Sequence, residues 1–76
     1  MLAAALTHIV KGIVDHPDDV QITSSTSPRG DVLEVRVHPD DRGRVIGRGG
    51  RTARALRTLI SALADGRRVR VDVADD

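Results

Sequence analysis

Val45-Ile46-Gly47-Arg48-Gly49-Gly50 runs directly into Arg51-Thr52-Ala53-Arg54-Ala55-Leu56-Arg57-Thr58-Leu59-Ile60, and this stretch decides the reading of the chain. Two aliphatic residues precede a Gly-x-x-Gly turn, and the turn opens a basic helix. The first N–H groups of a helix have no partner within it and carry partial positive charge, so a phosphate fits in front of them. Glycines at 47 and 50 allow a sharp turn with no Cβ between the backbone and a bound anion, while Arg48 and Arg51 add attraction. Other phosphate loops are excluded by position. A Walker loop ending at Gly50-Arg51-Thr52 needs its first glycine where Val45 stands, and a dinucleotide fingerprint starting at Gly47 needs its third where Thr52 stands.

Charge gathers around the same turn. The net charge is only +1, but residues 41–58 hold six arginines against Asp41 alone. Residues 1–40 set Lys11, Arg29 and Arg36 against six carboxylates, and residues 59–76 are close to neutral. A localised polyanion site follows more readily than a diffuse basic coat. The plain alternative is a solvated, arginine-rich helix face.

Length and composition narrow the rest. Seventy-six residues are expected to form one domain, 1–76, whose small core lies near the lower limit for folding without staples, so a dimer interface would help. There is no cysteine, which removes disulfides and thiolate zinc sites. Phe, Trp and Tyr are also absent, so base stacking of the kind used by RNP-type sheets, OB folds and cold-shock domains is excluded. No apolar run approaches the roughly 18 residues of a membrane span. The start, Met1 to Leu6, has no basic residue before it, and its periodicity continues through Ile13, which fits a signal peptide poorly. The expectation is a soluble, cytoplasmic protein without cofactor or metal.

Hydrophobic spacing sets the order of elements. Leu2, Leu6, Ile9, Val10 and Ile13 predict an amphipathic helix over residues 2–15, stopped by Pro17. Residues 20–26 are rich in β-branched side chains, Ser27-Pro28-Arg29-Gly30-Asp31 punctuates, and residues 32–37 alternate apolar and polar: a hairpin with one buried face. Pro39, Asp40 and Asp41 suit the start of a short helix ending at Val45. Residues 51–64 form the strongest helix, Gly66 follows its end, and Val69, Val71 and Val73 alternate as a last strand. On the long helix Ala53, Leu56, Ile60 and Leu63 share a face, and Ala55, Leu59 and Ala62 widen it sideways. That surplus reads either as a partner surface, with Ala55, Leu59 and Ala62 as a dimer interface, or as extra core. The fold class is α+β in the order α-β-β-α-α-β, a three-stranded sheet covered on one face by three helices.

This order, with Gly-x-x-Gly between the last two helices, resembles a KH domain of type II, the arrangement with the extra helix and strand at the N-terminus. Val14-Asp15-His16-Pro17-Asp18-Asp19-Val20 and Arg44 through Arg57, together with the size, resemble the small bacterial KhpA-type single-KH proteins over nearly the whole chain. The resemblance implies a cytoplasmic protein that binds single-stranded RNA, self-associates as a homodimer, and can pair with a larger KH-containing protein of the Jag type. KH domains clamp about four nucleotides between the Gly-x-x-Gly backbone and an aliphatic groove. Carried over by motif, Gly47, Arg48, Gly49 and Gly50 hold phosphates, with Arg44 beside them. One of Val45 and Ile46 faces the groove and the other the core. Arg51 and Arg54 are placed either to reach phosphates or to lie solvated on the polar face. Gly49 departs from the family, which usually has a polar residue there; the extra glycine raises the cost of ordering the loop.

His16-Pro17-Asp18 and His38-Pro39-Asp40 repeat a tripeptide also found in J-domains, but one proline stops a helix and the other starts one, and the alternating strand at 32–37 does not fit an all-helical fold. His8, among apolar helix neighbours, reads as packing or surface rather than a metal ligand. Ser24, Ser25 and Ser27 have no histidine in a plausible motif and the carboxylates are dispersed, so no enzyme emerges. Two readings stand: an RNA-binding KH module, and a KH-fold dimerisation or protein-interaction module with residual RNA binding.

Overall fold

A computed structural model of the chain describes residues 2–74. The order is α1 (Leu2–Ile13), β1 (Gln21–Ser27), β2 (Gly30–Arg36), α2 (Arg42–Ile46), α3 (Arg51–Leu63) and β3 (Val69–Val73), with single 3-10 turns at Pro17–Asp19, Pro39–Asp41 and Arg48–Gly50. β2 is the central strand, antiparallel to β1 and parallel to β3. The antiparallel pair closes through Pro28 and Arg29 alone, whereas the parallel pair needs a crossover, which α2, the glycine turn and α3 supply.

The three helices cover one face. Leu6 and Val10 of α1, Leu33 and Val35 of β2, Val45 of α2, Leu56 and Ile60 of α3 and Val71 of β3 form the core, none more than 4% exposed. Each such side chain contributes about 1.5–3 kcal/mol by leaving water. The register pairs Leu33 with Val71, so period-2 alternation sends both to the helical side and turns Val32 and Arg70 to the outer face.

Several expectations shift in detail. α1 stops at Ile13, not residue 15, because the N–H of Asp15 donates to the Asp41 carboxylate (3.1 Å) instead of continuing the helical ladder. The buried face of the hairpin belongs almost wholly to β2; β1 has one substantial apolar residue, Ile22, and is otherwise exposed. On α3, Leu63 is 52% exposed and Ala64, at the helix end, is buried instead. At about 100° per residue, Ala64 lies nearer than Leu63 to the line through Ala53 and Ile60, and the sheet accepts only that narrow arc.

Candidate nucleic-acid interface

The glycine turn is built by its own hydrogen bonds. Gly47 N–H closes α2 on the Gly43 carbonyl (2.8 Å), Gly50 N–H donates to the Gly47 carbonyl (3.1 Å), and Arg51 N–H donates to the Arg48 carbonyl. The N–H groups of Arg48 and Gly49 come first in the turn and therefore have no acceptor within it. All three glycines lie at positive φ: Gly47 at 78°, Gly49 at 63°, Gly50 at 78°. Their reasons differ. A Cβ on Gly47 would lie 2.7 Å from the Thr52 nitrogen, so Gly47 is required by space as well as by conformation, whereas nothing lies within 4 Å of a Cβ on Gly49 or Gly50.

Beside the turn lies an open cleft of about 530 Å³, lined by Ile46, Gly50, Ala53, Arg54, Arg57, Asp72 and Val73. The choice between Val45 and Ile46 is resolved by burial: Val45 is fully buried in the core, and Ile46, 37% exposed, faces the cleft. Arg54 also lines it, while Arg48 and Arg51 are exposed at the turn. Arg44 is not part of the cleft lining; its Nη1 donates to Asp15 Oδ1 at 2.9 Å, an exposed pair that water screens strongly. Arg57, to which the Gly-x-x-Gly motif assigns no role, also lines the cleft. Its Nε donates to the Val71 carbonyl (3.0 Å), which binds α3 to the edge strand β3 and keeps the guanidinium beside the cleft. Asp72, paired with Arg70 (3.1 Å), adds one carboxylate to the same wall.

Behind α2 sits a polar contact that spacing along the chain did not reveal. Asp41, 1% exposed, accepts the N–H of Asp15 through Oδ1 and that of His16 through Oδ2 (3.0 Å), and its Oδ2 also meets His16 Nδ1 at 2.9 Å. This bond to Asp41 holds the His16 pKa above its ordinary value, against the opposing effect of desolvation. For Asp41, burial favours the neutral acid, but the Asp15 N–H and the two His16 donors outweigh it and the pKa lies below the usual carboxylate value. The two His-Pro-Asp tripeptides meet here, the His16 and His38 rings stacking at 4.0 Å with planes 15° apart. His16, His38 and Asp40 each bring a possible metal-ligand atom within 4.8 Å of the others. His16 Nδ1 is engaged by Asp41, however, His38 Nδ1 accepts the Asp40 N–H (3.1 Å), and stacked rings hold their in-plane lone pairs in near-parallel planes. The cluster fastens the loop after α1 to the start of α2.

A mixed sheet backed by three helices, with a glycine turn between the last two helices and an aliphatic cleft at its side, defines a KH domain. The chain belongs to the KhpA/KhpB KH domain family, whose profile matches residues 3–74. It is 78% identical over 76 residues to the RNA-binding protein KhpA of Leifsonia xyli subsp. xyli, with all of both chains covered. Identity to the RNA-binding protein KhpA of Streptomyces coelicolor is 68%, covering 99% of this chain and 94% of that one. For the protein of the same name from Mycobacterium tuberculosis it is 62%, covering 93% and 88%. Among the described residues, no helix is long and apolar enough to cross a membrane.

Proposed function

We propose that this chain acts as a single, non-catalytic KH module in the cytoplasm and binds short stretches of single-stranded RNA; RNA is the ligand named for its relatives. The observation that carries the reading is the cleft: it is lined by the aliphatic Ile46, which suits a base, and by Arg54, with the glycine turn and the exposed Arg48 and Arg51 beside it, which suit phosphates. With no Phe, Trp or Tyr in the chain, bases at the cleft are held by aliphatic contact and hydrogen bonds. Four nucleotides bring about three or four phosphates to the site, so log affinity falls against log salt with a slope of roughly −2 to −3. Titration of a labelled single-stranded RNA at several salt concentrations checks this. Affinity indifferent to salt, or no binding at low salt, sinks the phosphate clamp.

The reading as an interaction module gains from one further observation: Leu59 and Leu63 are 44% and 52% exposed, with Ala55 and Ala62 exposed beside them. At about 100° per residue Leu59 and Leu63 lie on the flank of α3 opposite Arg54 and Arg57, with Ala55 and Ala62 beside Leu59 on the outward side. A symmetric dimer packed through that flank leaves the cleft open, and small alanines allow close approach. A larger KH protein of the Jag type would compete for the same flank. Ala62→Arg is expected to turn a homodimer into monomers and to lower RNA avidity without touching the cleft. Sedimentation across concentrations decides: a wild type that stays monomeric removes the homodimer, and a dimeric variant moves the interface elsewhere.

A further inference from the structure

The fold gathers a second group of arginines at the far end of α3 from the glycine turn. Arg67, Arg68 and Arg70 follow α3, and Arg29 occupies the hairpin turn. Together with Ser27 and Ser61 they line an open cleft of about 580 Å³, in which Asp31 is the one acidic residue. Arg70 is paired with Asp72, but among the described residues no carboxylate pairs with Arg29, Arg67 or Arg68, and all four arginines are exposed. The walls of this cleft are fixed. Asp31 N–H donates to the Arg68 carbonyl (2.9 Å), Gly30 leaves no room for a Cβ against that backbone, and Ser27 Oγ bridges the hairpin turn from the Gly30 carbonyl (2.9 Å) to the Arg29 N–H.

The two clefts adjoin along the α3–β3 edge. α3 and β3 run side by side, and Arg57 bonds across them to Val71. β3 begins at the arginine cluster with Val69 and Arg70 and ends at the first cleft with Asp72 and Val73. The thirteen residues of α3 put the glycine turn and Arg67 roughly 20 Å apart, while the two cleft linings approach within one helical turn, at Arg57 and Ser61. Guanidinium groups match phosphate oxygens with paired donors, and no Phe, Trp or Tyr stands at this end to single out a base.

We propose that Arg29, Arg67 and Arg68, with Arg70 beside them, form a second phosphate-contact site that takes the backbone of a single-stranded RNA continuing along the α3–β3 edge from the glycine turn. The inference rests on the RNA-binding reading above and extends it: the turn and its cleft hold about four nucleotides, and the arginine cluster holds phosphates further along the strand. The site takes phosphate whatever the base, so it lengthens the footprint without adding sequence preference.

The test compares wild type with the triple variant Arg29→Gln/Arg67→Gln/Arg68→Gln, on a five-nucleotide and a sixteen-nucleotide single-stranded RNA. A long strand offers about a dozen registers for a four-nucleotide site, so length alone tightens binding, and the comparison must be between proteins on the same RNA. Expected for the variant are unchanged affinity for the short RNA, affinity for the long RNA weakened about tenfold near 0.1 M salt, and a salt slope on the long RNA shallower by about 2. Equal affinity of the two proteins for the long RNA overturns the proposal. A parallel titration with inorganic phosphate and AMP tests the other source of the same chemistry; loss of those ligands with the long RNA unaffected makes this a small-anion site and also overturns it. Should wild type fail to bind the short RNA as well, the RNA-binding reading itself fails. The side chains replaced are exposed and Arg68 holds Asp31 through its backbone, so thermal melts of the variant are expected to match wild type; a double variant, Arg29→Gln/Arg67→Gln, gives the same test at smaller amplitude.

Discussion

Arg48→Asp combined with Gly49→Asp is expected to abolish RNA binding, a loss of at least a hundredfold, while the protein stays folded. Two carboxylates would then stand at the turn where the phosphates approach, and each repels what the arginine attracted. The fold should tolerate the change. Arg48 and Gly49 are exposed, and nothing lies within 4 Å of a Cβ at position 49. The φ of 63° and ψ of 19° at Gly49 fall in the left-handed region, which Asp enters at modest cost. Circular dichroism and a thermal melt separate loss of binding from loss of fold, and a folded variant with wild-type affinity removes the turn from the site. Gly47 is the wrong place for this test. A side chain there would collide with Thr52 and disturb the packing of α3, confounding the two losses.

Local chemistry explains which parts of this structure were legible in the sequence. The glycine turn, the helix after it and the alternating last strand each declare themselves within a dozen residues, and the α-β-β-α-α-β order follows from them. Ile46 and Val45 did not, because adjacent residues at the end of a short helix both look aliphatic and only the packing of α2 on α3 and the sheet decides which one turns inward. Arg57 was hidden for a similar reason: its hydrogen bond goes to a strand 14 residues away. Leu63 and Ala64 changed places because helical periodicity gives the direction of a buried face but not its width. Charge counted by segment also misled. Arg29 lies in an acidic stretch and Arg67, Arg68 and Arg70 in a nearly neutral one, yet the contact between the hairpin turn and the loop before β3 makes them neighbours.

Asp41→Ala is expected to cost more stability than any surface change in this chain, with a fall in melting temperature on the order of 10 °C or more. The sequence marks Asp41 as a helix-start residue, but its carboxylate makes no capping bond to α2. It serves instead as the shared acceptor for two backbone N–H groups and the His16 ring, some 25 residues earlier in the chain. Removing it leaves those donors unpaired in a half-buried loop and frees the end of α1 from the start of α2, on which the glycine turn depends. The same pair sets a pH dependence. Asp41 has its pKa lowered from 3.8, so its contribution is present above that value and is lost as pH falls through the lower folded value. His16 has its pKa raised from 6.5, so the contribution of its charged form is complete below 6.5 and is lost as pH rises through the higher folded value. The contribution of the pair to stability is therefore greatest between about pH 4 and 6.5 and declines on either side. Thermal melts from about pH 2 to 9 check both statements: His16→Gln should flatten the decline above 6.5, and Asp41→Ala should lower the curve throughout and flatten its fall below about 4. A melting temperature for Asp41→Ala within two or three degrees of wild type at about pH 6 would show that α1 and α2 are held together by their apolar contacts alone.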